Sequence, residues 1–382
     1  MFVLIRIEFI SNCCLLCAFL KLPQVLMFAN VLANENDHGY HFHFETKLYG
    51  EDFMRIGFFG KGGAGKTTTA AGFIKYLMKA GAYVLAIDAD VNIHLKSALR
   101  IDFSGEQYEL GENFKEIASY IRGSRIDLGN RPLISSTPPS LLSKFIRVSN
   151  SDPFIASNGL HANNISLLTV GTYQQEDVGA SCYHSKLGSL AAVFHHLLDG
   201  PEDYVVTDTN AGTDNVATSL AFAYDMNIFV VEPTEKSIKV YQDFIRLGQK
   251  LKEQTFVIAN KADGQQDRQF IEQHIEKEKL LGIIPYSRHL KAFEQGVKDS
   301  LTLFESEQDE VFDRVFVVWK DRKRDWQEYL KTLIEVHKKN SREWYDAYYG
   351  TSLSDGLDQD FQYEKVLVDS SYPEEKLLVG SK

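Results

Sequence analysis

From residue 54 onward, short apolar runs alternate with amphipathic stretches. Seven short runs that are mainly apolar or β-branched predict strands, at residues 54–59, 83–87, 165–171, 203–208, 226–232, 255–260 and 280–284. Intervening stretches such as 187–198 and 237–252 repeat apolar residues every three or four positions, which is typical of helices that cover a sheet. The alternation predicts an α/β fold: a doubly wound, mostly parallel sheet with helices on both faces. Residues 95–150 show no such pattern and are predicted to form an irregular insert.

The pattern also changes at both ends of this α/β region. We predict an N-terminal extension at 1–53, the α/β domain at 54–300 and a helical C-terminal region at 301–382. Residues 310–349 carry charged and aromatic side chains at mostly helical spacing. The acidic composition after Gly350 predicts a loose tail.

The N-terminal extension contains one apolar run, at residues 9–20. It is shorter than the roughly 20 residues that cross a bilayer. Because Met54 opens the first predicted strand, we favour an upstream extension that arises from a misassigned start site. The alternatives are a membrane anchor, or a metal-binding cluster of Cys13, Cys14 and Cys17.

Composition places further limits on the function. An apolar fraction of 44% over 382 residues suits an ordinary globular protein. The formal net charge of −11 argues against a general nucleic-acid binder, which needs a cationic surface, and the sequence carries no strong membrane signal. Four cysteines in so long a chain are too few for a disulfide scaffold, so a reducing, cytoplasmic setting is expected.

The strongest chemical signal is a glycine-rich loop between the first predicted strand and a helix. It satisfies the pattern G-x-x-x-x-G-K-[ST], in which main-chain N–H groups surround the phosphates of a nucleotide. Lys66 is expected to reach the β- and γ-phosphates, and Thr67 to coordinate Mg²⁺. The predicted nucleotide-binding residues are Gly60, Lys61, Gly62, Gly63, Ala64, Gly65, Lys66, Thr67 and Thr68.

A second lysine, Lys61, follows the first glycine of this loop. With it, the loop resembles the deviant Walker A motif, x-K-G-G-x-G-K-[ST], of ATPases of the MinD, ParA and CooC type. The resemblance implies a P-loop NTPase fold and an ATP-dependent homodimer in which Lys61 reaches the nucleotide of the partner subunit. The alternative is that Lys61 is a solvated lysine in an ordinary P-loop.

Acidic residues follow two other predicted strands. The segment 208–212, Asp-Thr-Asn-Ala-Gly, is similar to the Walker B and switch II element of the same ATPases, which implies that Asp208 holds Mg²⁺. Asp88 and Asp90 resemble the D-x-D of switch I. That match implies that Asp88 supports the metal and Asp90 orients the attacking water, so the catalytic candidates are Lys61, Lys66 and Asp90.

Base recognition has two interpretations. Residues 260–263, Asn-Lys-Ala-Asp, fit the guanine motif N-K-x-D, and a GTP-specific switch would use Asn260 and Asp263. The resembled ATPases instead use an asparagine at this place for adenine. We favour ATP, because Lys61 and the Asp208 element both resemble those ATPases. Pro285 is expected to pack against the base; an ordinary turn after a strand is the alternative.

One further pair distinguishes relatives within the group. Cys182 and His184 stand where CooC-like nickel-insertion ATPases carry a C-x-C metal motif. Thiolate and imidazole from each of two subunits would make a tetrahedral site for Zn²⁺ or Ni²⁺ at the dimer interface, with a metalloenzyme as client. The alternative is a buried thiol beside a surface imidazole.

These features together predict a dimeric ATPase that binds and hydrolyses ATP with Mg²⁺ and drives a partner or the maturation of a metal centre. The alternative is a partition or positioning switch that binds its partner only when ATP is bound.

Overall fold

The computed structural model describes residues 26–32, 41–47, 54–173, 183–200, 203–211, 220–295, 297, 304–305, 307–319 and 324–369. The chain divides into two compact units, residues 1–50 and 51–382. The first unit holds the antiparallel strands β1 (Leu26–Leu32) and β2 (His41–Lys47), with Leu26 opposite Lys47. Cys13, Cys14 and Cys17 lie outside the described residues.

The second unit is built on an eight-stranded sheet. In chain order its strands are β3 (Met54–Gly60), β4 (Val84–Ala89), β6 (Leu160–Ala162), β7 (Ile165–Thr169), β9 (Tyr204–Thr209), β10 (Met226–Val231), β11 (Thr255–Ala262) and β12 (Leu280–Pro285). The spatial order is β12-β11-β10-β3-β9-β4-β7-β6. Each neighbouring pair is parallel except β6 with β7, which confirms the predicted mostly parallel sheet. A short parallel pair, β5 (Ile146–Arg147) and β8 (Leu197–Leu198), lies outside that sheet.

Helices connect these strands. Those before β10 are α1 (Lys66–Lys79), α2 (Leu95–Leu99), α3 (Phe114–Arg122), α4 (Pro153–Asn158) and α5 (Tyr183–His195). Later come α6 (Glu235–Ile245), α7 (Gln249–Gln254), α8 (Gly264–His274), α9 (Arg288–Glu294), α10 (Asp309–Trp319), α11 (Trp326–Asn340), α12 (Asp346–Tyr349) and α13 (Tyr363–Asp369). Short 3₁₀ turns lie at Ile126–Leu128, Leu220–Phe222 and Leu353–Gly356, and a π-helical turn at Ser341–Tyr345. Within the described residues no helix is both long and apolar enough to cross a membrane.

The sheet is buried on both faces, as expected of inner strands that are mainly apolar. Every residue of β4, β9 and β10 is buried. Successive side chains of β3 enter different cores: Phe58 packs with Phe73 of α1, which in turn contacts Phe312 of α10, whereas Phe59 packs with Phe244 of α6. This alternation follows from the two-residue period of a pleated strand.

Several predicted boundaries differ from the structure. The irregular insert at 95–150 contains α2, α3 and β5. The predicted helix at 237–252 is two helices, α6 and α7, and the helix predicted at 187–198 begins earlier, at Tyr183, and ends at His195. Periodicity locates helices well but sets their ends poorly, because end positions depend on tertiary contacts.

The C-terminal region folds back onto the α/β domain. Arg324 joins the carboxylates of Asp199 and Asp225, and its Nη1 lies 2.7 Å from Asp199 Oδ1. The Tyr363 hydroxyl donates to the backbone oxygen of His195 at 2.6 Å. Composition predicts a loose tail after residue 350, but this region has fully buried side chains such as Tyr363. Aromatic packing offsets its acidic character. Residues 370–382 lie outside the described part.

Candidate nucleotide-binding site

The site forms where β3 lies between β9 and β10, so that loops from neighbouring parallel strands meet at one edge. Ligands of open α/β sheets bind at such carboxyl edges. The glycine loop leaves β3, and α1 begins at Lys66 directly after Gly65. Gly63 and Gly65 have φ values of 83° and 95°, a left-handed backbone that glycine adopts without steric cost. The sequence of the loop thus suits a tight turn into the N-terminus of α1, where an anion is stabilised by the helix dipole.

The loop borders a cavity of about 590 Å³. This volume lies within the range of small-molecule sites. The predicted residues that line it are Gly62, Gly63, Gly65, Lys66, Thr67, Thr68, Asp90, Asn260 and Pro285. The structure therefore brings residues more than 200 positions apart to one place, although their roles in nucleotide binding stay predictions.

The Mg²⁺ candidates lie together at the base of this site. The Thr67 hydroxyl donates to Asp208 Oδ2 at 2.6 Å, which joins the start of α1 to the end of β9. Asp208 is fully buried, and its Oδ1 has no hydrogen-bond partner among the described residues. A hydroxyl and a carboxylate are hard oxygen ligands of the kind that Mg²⁺ prefers. These residues fit a magnesium ion, which would satisfy the second carboxylate oxygen directly or through water.

Electrostatics at this point favour a bound cation. Burial, and next the neighbouring Asp88 carboxylate, raises the pKa of Asp208 to about 8, although Lys66 acts in the opposite direction. Burial likewise raises the pKa of Asp88 to about 6. Two carboxyls kept from ionising by desolvation and by each other would ionise readily beside a divalent ion.

The two acids at the end of β4 accept hydrogen bonds from the loop that follows the strand. Asp88 is fully buried and accepts hydrogen bonds from the main-chain N–H groups of Leu95 and Asp90, at 2.8 and 3.3 Å. Asp90 Oδ1 accepts two bonds from Asn92, from its main chain and its side chain. Asp90 lines the cavity, whereas Asp88 is not among its lining residues; the roles of Asp90 toward water and of Asp88 toward the metal stay predictions.

Lys61 is half-exposed beside the carboxylate of Glu232, with 4.0 Å between Lys61 Nζ and Glu232 Oε2. Its contact with a partner subunit stays a prediction. Asn260 Nδ2 donates to the backbone oxygen of Ala64 at 2.9 Å, so in this structure Asn260 contacts the glycine loop itself. Its role in adenine recognition also stays a prediction.

The proposed metal motif is described only in part. Cys182 lies outside the described residues, and His184 is a partly buried residue in the first turn of α5. Within the part of the chain that the structure covers, no group of three or more His, Cys, Asp or Glu side chains could hold a metal ion. The Zn²⁺ or Ni²⁺ site, which would need Cys182 and a second subunit, stays a prediction.

The predicted site leaves out several residues that the structure brings here, among them Glu232, Lys261, His94 and Tyr286. Glu232 and Lys261 contact each other, and Lys261 contacts the glycine loop. His94 and Tyr286 line the cavity beside the predicted residues. Glu232 had one available signal: like Asp208, it is the acid that ends a predicted strand.

Several known proteins are similar to this chain. Residues 58–298 match the family described as the CobQ/CobB/MinD/ParA nucleotide binding domain. An uncharacterized ATP-binding protein of Methanocaldococcus jannaschii is 27% identical over 244 residues, 62% of this chain and 90% of the relative. Carbon monoxide dehydrogenase accessory protein CooC of Rhodospirillum rubrum is 25% identical over 245 residues, 64% of this chain and 88% of that protein. The crystal structure of a plasmid partition protein of Borrelia burgdorferi covers 70% of this chain and 99% of its own, at 16% identity and a TM-score of 0.43.

Proposed function

Because the chain belongs to the CobQ/CobB/MinD/ParA nucleotide-binding family, we propose that it is an ATPase that binds ATP with Mg²⁺ and dimerises when ATP is bound. The observation that carries this proposal is the 2.6 Å contact between Thr67 and Asp208, beneath a glycine loop that borders a cavity of nucleotide size. Several relatives are ATP-binding proteins by name.

The hydrolytic step would use the groups already in place. Main-chain N–H groups of the loop and the ammonium of Lys66 would neutralise the phosphates, and Thr67 and Asp208 would hold Mg²⁺, which would supply further positive charge. A water oriented by Asp90 attacks the γ-phosphorus in line with the bond to ADP. That bond breaks, ADP leaves with its electron pair, and the proton of the water passes to the phosphate product. Phosphoryl transfer depends mainly on positioning and charge neutralisation, so no covalent intermediate is needed.

Dimerisation would complete this site. Lys61 is partly exposed at the mouth of the cavity, where its ammonium can leave Glu232 for a phosphate of the partner subunit's nucleotide. Such a contact would make hydrolysis depend on the dimer, and release of phosphate would reopen it.

Binding and assembly test this proposal directly. Isothermal titration calorimetry with ATP and GTP, each with Mg²⁺, should show saturable ATP binding that Lys66→Ala abolishes. With ATP, the mass of the wild type in solution should double to that of a dimer. The mass of Lys61→Ala should stay that of a monomer. No heat with either nucleotide would refute the proposal. A clear preference for GTP would replace adenine recognition by a guanine switch using Asn260 and Asp263.

The partner step has one favoured candidate, the maturation of a metal centre. The similarity to CooC, named as an accessory protein of carbon monoxide dehydrogenase, supports it, together with Cys182 and His184 in the sequence. Metal analysis of the ATP-bound dimer should find one Zn²⁺ or Ni²⁺ per dimer, and Cys182→Ala should lose it. Equal metal content in the variant would reject this candidate. Co-sedimentation with DNA or lipid in the presence of ATP would favour a partition or positioning switch instead.

A further inference from the structure

Lys261 has an unusual backbone for its residue type. Its φ of 60° lies in the left-handed region, which non-glycine residues enter rarely and at a cost. It lies in β11, where the pairing with β12 shifts register between Ala259 and Ala262. Strained residues of this kind persist only where surrounding contacts hold them, and they concentrate at ligand-binding sites.

The contacts that hold Lys261 lead to the glycine loop. Its Nζ donates to the backbone oxygen of Gly63 at 2.5 Å and to Glu232 Oε1 at 2.9 Å. The preceding residue, Asn260, donates to the next loop carbonyl, that of Ala64. Two successive residues of β11 therefore hydrogen-bond to two successive carbonyls of the loop.

These hydrogen bonds have a geometric consequence for phosphate binding. In a trans peptide the C=O and the following N–H point in opposite directions. When Asn260 holds the Ala64 carbonyl from outside, the N–H of Gly65 is turned away from Asn260. Lys261 contacts the preceding peptide group, at the Gly63 carbonyl. This peptide belongs to a turn that is closed by a hydrogen bond of 3.1 Å from the Ala64 N–H to the Lys61 carbonyl. The turn that carries Lys61 is thus fixed before any phosphate arrives.

Glu232 connects the two lysines. One of its oxygens is paired with Lys261 and the other is 4.0 Å from Lys61 Nζ. Its position is fixed in turn, because its main-chain N–H donates to Ser237 Oγ at 3.0 Å in the first turn of α6. The carboxylate reduces the repulsion between two ammonium groups at the mouth of one anion site.

We infer that Lys261 is a positioning residue of the nucleotide site: its ammonium holds the Gly63 carbonyl, and thereby the glycine loop, in the shape that receives polyphosphate. This inference rests on the proposed function. It differs from a base-stacking role, because a preformed loop should strengthen the binding of any polyphosphate, with or without a base.

The test compares ATP with inorganic tripolyphosphate, both with Mg²⁺, by calorimetry on the full chain. Lys261→Ala should weaken both ligands by about tenfold, since a hydrogen bond from a charged donor is lost. Lys261→Arg should recover most of the affinity, because a guanidinium can also bridge a carbonyl and a carboxylate. Lys236→Ala is the matched control: this exposed lysine of α6 removes the same charge from the same domain, and it should bind like the wild type.

Lys261→Gly separates the ammonium from the backbone strain. Glycine accepts the left-handed conformation, so this variant should unfold at a temperature no lower than that of Lys261→Ala, yet bind both ligands as weakly. Wild-type affinity in Lys261→Gly or Lys261→Ala would overturn the inference. A loss confined to ATP would also overturn it and assign Lys261 to the base. If the wild type bound neither ligand, the proposed function would fail and this inference with it.

Discussion

Replacing Asp208 by asparagine should stabilise the nucleotide-free protein at alkaline pH while removing its binding of nucleotide with Mg²⁺. The reason is that the Asp208 carboxyl is fully buried and near Asp88, which raises its pKa from 3.8 to about 8. The amide in Asp208→Asn stays neutral at every pH and can still accept the hydrogen bond from Thr67.

The sign of the pH dependence follows from proton linkage. Between about pH 4 and pH 8 the native carboxyl keeps a proton that the unfolded chain releases, so stability falls as pH rises through this window. Above pH 8 the whole cost is present, and at 1.36 kcal/mol per pKa unit it amounts to about 6 kcal/mol. Because the amide must itself be desolvated, we expect a net gain of about 2–3 kcal/mol in the free energy of unfolding at pH 8.5. At pH 5 the gain should be much smaller.

Urea denaturation in EDTA without nucleotide, at pH 5 and pH 8.5, measures this difference. Asp102→Asn serves as the control, since Asp102 is exposed and its replacement should change stability by less than about 0.5 kcal/mol at either pH. Calorimetry with ATP and Mg²⁺ on the same preparations should show binding in the control but not in Asp208→Asn. A variant that is less stable than the wild type at pH 8.5 would refute our reading of Asp208 as an unsatisfied metal ligand.

Three further outcomes are expected. Asp199→Asn should lower the free energy of unfolding at pH 7 by about 3–5 kcal/mol in urea, because it removes the carboxylate paired with the buried Arg55 guanidinium and one of the two paired with Arg324; unchanged stability would contradict this. Gly65→Ala should abolish nucleotide binding in a fluorescent-nucleotide titration, because its Cβ would lie 2.2 Å from Asn260 Nδ2 at a φ of 95°; retained affinity would show that the loop tolerates another shape. Tyr363→Phe should lower the free energy of unfolding by about 1 kcal/mol, measured by thermal denaturation, because the buried carbonyl of His195 loses its hydrogen-bond donor. Unchanged stability would mean that a water molecule replaces the lost hydroxyl.

Much of this protein could be predicted without coordinates, because the relevant signals are local. A buried strand, a glycine loop and a helix start are adjacent in sequence, so residues 54–79 carry their own structure. Asp88 and Asp208 were also within reach, since acids that follow buried parallel strands must meet at one edge of the sheet. Their shared environment, and hence their raised pKa values, followed only from the packing.

The sequence by itself determined seven of the eight strands of the large sheet, the glycine loop and the class of ligand, because each depends on neighbours within a few residues. Only the tertiary structure decided that Lys261 and Glu232 grip the loop, and that Arg324 closes a charged cluster with Asp199, because these partners are far apart in the chain. Contacts between distant residues depend on how the sheet orders its strands and on how helices pack across it. No local pattern of apolar and polar positions records that order.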